Sequence, residues 1–258
     1  MDFKTKVGEL MSQGYKRASA RAKIAHDVVL AAIKSSGMKD SVTIKGGVVM
    51  SGITKEVRRA TMDMDADFVH YSLRNDAIEK FVAKLDRNSD CTIAIVGAIA
   101  DLRQQDYKGK RIFLRITDAA GYKVVTKVDL GVHAKLEVVQ KDFKFDVVTD
   151  AKSVKLLANS KEQIFAEKMK SLLRLGTLSS RYKDVFDMYY LASRMNMKVV
   201  RRYVSVLVYA SKRCPVSDRQ GIVASLERTF GSSRYMRKLE SARNNWLDVS
   251  PRLAAETI

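Results

Sequence analysis

In the stretch RATMDMDADF, residues 59–68, aspartates stand at 63, 65 and 67 among Met, Ala and Phe. Residues two apart in a strand share a face. Thr61, Asp63, Asp65 and Asp67 are therefore expected on one side, with Met62, Met64, Ala66 and Phe68 turned into the core. Aspartate is a poor strand former and same-face carboxylates repel, so the row is costly unless a cation neutralises it. Asp63 and Asp65 lie about 7 Å apart along a strand, near enough to converge on one or two divalent ions, with Asp67 a further ~7 Å away. The plain alternative is a solvated amphipathic edge strand.

Other residues have types suited to the same chemistry. In VTIKGGVVMSG a short β run enters Gly46-Gly47 and then a helix-like turn, where backbone N–H groups could approach a phosphate. Glycine is also what an ordinary strand-to-helix turn requires. Asp129 interrupts the apolar run VTKVDLGV, as a third acid or a solvent-facing strand end. Along SKEQIFAEKMKSLLRLG, the spacing of Ser160 and Gln163 sets a helix start. Helical periodicity then turns Lys168 inward among Ile164, Phe165, Met169, Leu172 and Leu173. An inward lysine either snorkels to an edge or neutralises a triphosphate. In SRYKDVFDMYYLASRM, a helix apolar nearly all round, Arg181, Asp184 and Asp187 share one side. Buried charges need partners, so an Arg181–Asp184 pair at i, i+3 is expected, with Lys168 completing a network.

The elements that must position these groups fall into two regions. Helical segments cover about 3–36. The strand-like runs SVTIKGG, MDADFVH, CTIAIVGAI, RIFLRIT, YKVVTKVDLGV and FKFDVV follow, with one helix at 75–87 between the second and third. Past 150 no β signal is evident, and helical periods fill 160–176, 181–195, 198–212, 216–230 and 233–247. Pro215 and Pro251 each fall just past an expected helix end. The expected fold is α/β (α+β), with an α/β domain over 1–150 and a basic all-helical domain over 151–258.

Charge and composition bound the partners. The formal net charge is +18, and Lys161 to Arg243 hold 18 Lys and Arg against 7 Asp and Glu, so +11 of it resides there. That balance favours a polyanion such as nucleic acid. Arg201-Arg202, Lys212-Arg213 and Arg237-Lys238 are basic pairs on expected helices, near Tyr203, Tyr209 and Tyr235, which could stack on bases or simply pack. No apolar run approaches the ~18 residues of a membrane span. The start MDFKTKVGEL is unlike a secretory signal, and Cys91 and Cys214 form no metal-type cluster, so a cytoplasmic protein is expected.

Taken in order, GG at 46–47, RxTxDxD at 59–65, KVD at 127–129 and AEKMKSLLRLGTLSSRYKDVFDMYYL at 166–191 resemble the AbiEii/AbiGii abortive-infection toxin family, whose members resemble nucleotidyltransferases of the DNA-polymerase-β-like superfamily. The match runs over about residues 40–195, and AEK followed by R-x-x-D-x-x-D-x-Y is its most specific part. The resemblance implies an N-terminal nucleotidyltransferase-like mixed sheet and two-metal transfer of a nucleotide from an NTP, most simply onto the 3′ end of tRNA, blocking translation. It implies that Asp63 and Asp65 hold Mg²⁺ or Mn²⁺ and that Asp129 completes the inner site and helps activate the attacking hydroxyl. Gly46, Gly47 and Ser51 would hold the triphosphate. Lys168 would neutralise it, with Arg181, Asp184 and Asp187 on the nucleotide side. A cognate antitoxin is an implied partner. Val48 departs from the Ser or Thr usual after the glycines, leaving Ser51 as the substitute hydroxyl. Nucleotidylation of a protein and a non-catalytic RNA-binding module are the alternative functions.

Overall fold

A computed structural model of the chain describes residues 1–102, 109–133, 137–243 and 245–258. It falls into two compact units, Met1–Asn159 and Ser160–Ile258.

The first unit begins with helices α1 (Phe3–Ser12) and α2 (Arg17–Ser35), followed by β1 (Val42–Lys45) and α3 (Gly46–Thr54). Next come β2 (Asp63–Phe68), α4 (Asn75–Arg87), β3 (Thr92–Ile95), β4 (Ala100–Leu102), β5 (Gly109–Thr117), β6 (Lys123–Val132), β7 (Lys141–Asp146) and β8 (Ser153–Ala158). The strands form one mixed sheet in the order β3-β5-β6-β2-β1-β8-β7, with β4 on β5. β2 runs parallel to β6 and antiparallel to β1, and β1 runs parallel to β8.

Alternation explains the layering. Met64, Ala66 and Phe68 of β2, Val128 and Leu130 of β6, and Ile112, Leu114 and Ile116 of β5 are buried. α2 lies against β6 and β8, and α4 against β3 and α2. Ile24, Val28, Ile33, Ile78, Phe81 and Leu85 supply the buried helical side chains. Phe68 packs edge-on to Tyr71 and Phe81, with ring centroids 4.9 and 5.1 Å apart.

Two expectations are corrected here. Met62, expected in the core, is 50% exposed, because β2 begins only at Asp63 and the alternation does not reach back to it. A strand, β8, lies past 150: SVKLLA alternates buried Val154, Leu156 and Ala158 with Lys155 and Leu157. Its Leu-Leu-Ala composition carries no β signature, so only sheet pairing reveals it.

The second unit is helical: α5 (Lys161–Leu175), α6 (Tyr182–Ala192), α7 (Met197–Val204) running into a π turn at Ser205–Tyr209, α8 (Arg219–Phe230), α9 (Ser233–Glu240) and α10 (Pro251–Thr257). The Ser160 side chain accepts from the Gln163 N–H at 3.2 Å and starts α5, as the spacing predicts. Pro251 begins α10 instead of following a helix, a position where its missing N–H costs nothing. The helix expected over 233–247 ends at Glu240, and position 244 lies outside the described residues.

Candidate active site

The parallel pairing of β2 with β6 sets Asp65 directly beside Asp129 and Asp63 beside Lys127. Paired positions on neighbouring strands are about 4.8 Å apart and present side chains to the same face. Asp63, Asp65 and Asp129 thus share one side of the sheet, opposite the helices that cover its core face. Asp67 is on the same row but buried, and accepts from the Lys45 ammonium at 2.6 Å. Spacing along the strand sets Asp67 apart from the other two acids, but this ion pair is a finding of the structure.

The glycine turn is built around these acids. Gly46 opens α3 with φ +62°, a left-handed backbone that disfavours any residue with a Cβ. A Cβ there would lie 2.5 Å from Asp65 Oδ2, and one on Gly47 would lie 2.5 Å from Thr61 Oγ1. The bare backbone is what lets the Asp65 carboxylate settle on the first residue of α3. Lys45, at the cap, supplies no side-chain acceptor to the helix start. The first-turn N–H groups and the positive end of the helix dipole face a region suited to an anion. Val48 is buried in that turn and contributes backbone only. Ser51 lies more than a turn further on, lining a cavity of about 170 Å³ with Tyr15, Lys23, His26, Asp27 and Thr61. Thr61, which shares that cavity, is the residue against Gly47.

Basic side chains that the sequence reading did not single out neutralise the acids. Arg111 on β5 grips Asp129 with two bonds, Nε to Oδ1 at 2.7 Å and an Nη to Oδ2 at 2.8 Å. That fork holds Arg111 still more firmly protonated. Lys127 Nζ lies 2.9 Å from Asp63 Oδ2. Among the described residues no three acid, histidine or cysteine side chains form a ready-made metal cage. The donor set nevertheless fits a hard divalent cation: three carboxylates on one face, two of them directly paired across strands. Lys127 lies in the KVD segment, but its partner, Asp63, is set by the non-local β2–β6 register. Arg59, from the same motif as the acids, is buried.

Behind α3, His26 Nε2 lies 3.0 Å from Thr126 Oγ1. Burial, reinforced by the charge of Lys23, pushes the imidazole down to about 4. Burial likewise raises the Asp27 carboxyl, against the pull of Lys23. Lys23 lies 2.9 Å away, and the Val148 N–H donates to Asp27 at 2.9 Å.

In the second unit Lys168 is buried, with its ammonium between Asp184 and Asp187, the latter at 2.9 Å. Arg181 Nε donates to Asp184 Oδ2 at 2.6 Å, and Trp246 Nε1 to Asp187 Oδ1 at 3.1 Å. The expected charge network on α6 is therefore present, with Lys168 at its centre. Arg201, Arg202, Lys212, Arg213, Arg237 and Lys238 are exposed. Tyr203 and Tyr235 are buried, and the ring of Tyr235 packs 5.6 Å from that of Tyr182, so these two pack and do not offer stacking faces.

A glycine turn opening a helix, two aspartates on the adjoining strand and a third on its parallel neighbour make a frame suited to nucleotidyl transfer. The family model described as nucleotidyl transferase AbiEii toxin, type IV TA system, matches residues 28–235, and the chain belongs to that family. Membership implies a nucleotide substrate and an antitoxin counterpart. No curated protein matches the chain. Among solved structures it is similar to an antigenic nucleotidyltransferase-like protein from Paracoccidioides brasiliensis, at 15% identity and a TM-score of 0.38, over 81% of this chain and 91% of that one. No described helix is long and apolar enough to cross a membrane.

Proposed function

We propose that this toxin-family nucleotidyltransferase moves a nucleotide from an NTP onto the 3′ end of an RNA, the acceptor hydroxyl forming an ester at the α-phosphate as pyrophosphate leaves, with tRNA the expected acceptor, and blocks translation by that modification. The observation that carries the reading is the pairing of Asp65 with Asp129 beside the Gly46 turn. Asp63, Asp65 and Asp129 are the residues that would hold Mg²⁺ or Mn²⁺. Bound divalent ions supply the positive charge that stabilises attacking and leaving oxygens in an in-line displacement.

The chain's own residues do the rest. N–H groups of Gly46, Gly47 and Val48 at the start of α3 bind phosphate oxygens. Arg111 and Lys127, now on Asp129 and Asp63, are placed to exchange those carboxylates for phosphate when the nucleotide arrives. Asp129, once released by Arg111, orients the acceptor hydroxyl and takes its proton on a carboxylate oxygen. Contact between Lys168 and the nucleotide would require it to leave Asp184 or Asp187. Its burial supports a role exerted through that network, with Arg181. The exposed basic pairs of the second unit suit a nucleic-acid backbone.

The test is incubation with total RNA, each labelled NTP in turn and Mg²⁺, with EDTA and Asp65→Asn controls. Label in a tRNA-sized band with one or more NTPs is the expected result. Label on protein alone moves the acceptor to a polypeptide, and no metal-dependent label with any NTP overturns the reading.

A further inference from the structure

Every second residue of β5 and β6 points to the side of the sheet that bears the acids. The antiparallel register pairs Arg111 with Asp129, Phe113 with Lys127 and Arg115 with Val125. Ile112, Leu114 and Ile116, on the other side, are buried, whereas Phe113 is 42% exposed and Val125 is 51% exposed. Arg115 and Lys123 are exposed as well. Phe113 and Val125 are diagonal neighbours across the two strands, as are Phe113 and Asp129, a separation of about 7–8 Å. The result is an open sheet face with an aromatic ring at its centre, cations around it and an acid of the candidate site one diagonal step away.

We propose that this face binds the unpaired 3′-terminal segment of an RNA acceptor. A base stacks on Phe113 beside Val125, and the adjoining phosphates lie against Arg115 and Lys123. The inference rests on the transfer reading above and states where its acceptor strand runs.

Three physical arguments favour a single strand. A flat ring on an open sheet offers a stacking surface that every base can use, and aromatic sheet faces are a recurrent platform for unstacked bases. Inside a duplex the bases are already stacked on one another and present edges, and only the terminal pair of a blunt end has an open face, whereas each base of an unpaired tail can turn a face to the ring. The described side chains around the ring, Arg115, Lys123 and Lys127, are cationic and complement a phosphate backbone. The strand direction also leads to the chemistry: the diagonal step from Phe113 to Asp129 places a terminal nucleotide beside the carboxylates when its neighbour is stacked on the ring.

The test compares two labelled hairpin RNAs, one with a four-nucleotide unpaired 3′ tail and one blunt, by fluorescence anisotropy in EDTA without NTP, so that binding is read apart from transfer. Wild-type protein should prefer the tailed hairpin. Phe113→Ala should weaken tailed binding by about tenfold or more, leave blunt binding unchanged and melt like wild type, while Phe113→Trp retains the preference. Arg115→Ser with Lys123→Ser should weaken binding and flatten its log–log salt dependence by about 1.4, the slope of two single-strand phosphate contacts. Equal binding of both hairpins by wild type, or Phe113→Ala binding the tailed RNA as wild type does, overturns the platform. The labelled-NTP assay separates this from the parent reading. RNA labelling with tail binding untouched by Phe113→Ala leaves transfer standing without the platform. Absence of labelling alongside tail-dependent loss in Phe113→Ala leaves the platform without transfer.

Discussion

Gly46→Ala tests whether the turn and the acid row are one structure. The position has φ +62°, and an L-residue in that left-handed region costs about 1–2 kcal/mol. The added methyl would also lie 2.5 Å from Asp65 Oδ2 and 3.3 Å from its Cγ, so the carboxylate has to move. Overpacking of this kind costs about 1–3 kcal/mol. Together the two effects give about 2–5 kcal/mol, a Tm loss of about 4–20 °C at ~2–4 °C per kcal/mol for a chain of this size. Calorimetry with and without Mg²⁺ reads both consequences: a lower Tm, and a diminished metal-induced shift because Asp65 has been displaced. Asp65→Ala in the same chain removes the steric part and leaves the backbone strain. The double variant should therefore be more stable than the sum of the single losses by about 1–3 kcal/mol. If the two losses add within about 0.5 kcal/mol, Gly46 and Asp65 are not in contact and the coupling argument is wrong.

Mg²⁺ or Mn²⁺ titrated against thermal shift should lose its effect in Asp63→Asn, Asp65→Asn and Asp129→Asn and keep it in Asp67→Asn; a metal response lost only in Asp67→Asn would put the strand register in error. Asp67→Asn should instead lower the urea midpoint, because it removes the buried carboxylate that accepts from the part-buried Lys45 ammonium, at a cost of about 1–3 kcal/mol, and an unchanged midpoint counts against that pair. Lys168→Ala leaves Asp184 and Asp187 without their shared cation and should cost about 3–5 kcal/mol, so wild-type stability for this variant refutes the buried network. His26 has a folded pKa near 4 against an ordinary 6.5, so the unfolded chain takes up the proton first as pH falls. Its contribution is complete above pH 6.5 and is lost as pH drops toward 4, a total of about 3 kcal/mol that should vanish from the stability–pH curve of His26→Gln.

Local patterns carried much of this site. The alternation in MDMDADF set Asp63 and Asp65 on one face, Gly46-Gly47 marked the turn into α3, and the spacing of Arg181 and Asp184 gave their ion pair. What local pattern could not carry was pairing between distant strands. That Asp129 meets Asp65, and that Lys127 reaches Asp63 instead of its own strand's neighbours, follows from a parallel β2–β6 ladder joining segments some sixty residues apart. Strand β8 was hidden for the same reason: its residues look helical by composition and become a strand only against β1 and β7. Phe113 is a different case. RIFLRIT alternates Ile112, Leu114 and Ile116 with Arg111, Phe113 and Arg115, so the strand's own period turns the ring outward, but an apolar ring in an apolar run has no local signal that separates an exposed face from one covered by another element.

The charge balance of the acid face explains how such a row persists in a folded chain. Asp63, Asp65, Asp67 and Asp129 place four negative charges on adjoining strands, and Lys45, Lys127 and Arg111 return three positive charges from β1, β6 and β5. Each basic residue sits at a cross-strand or diagonal position to the acid it meets, so the sheet register itself delivers the compensation. The register therefore offsets three of the four charges that these strand aspartates bring. The three pairs also differ in kind. Lys45–Asp67 is nearly sealed from solvent, where separating the partners is expensive, whereas Lys127–Asp63 and Arg111–Asp129 are partly open to water, where exchange of one partner for another costs little. That gradient sets Asp67, sealed into its ion pair, apart from Asp63 and Asp129, the more open acids that the proposed transfer would use.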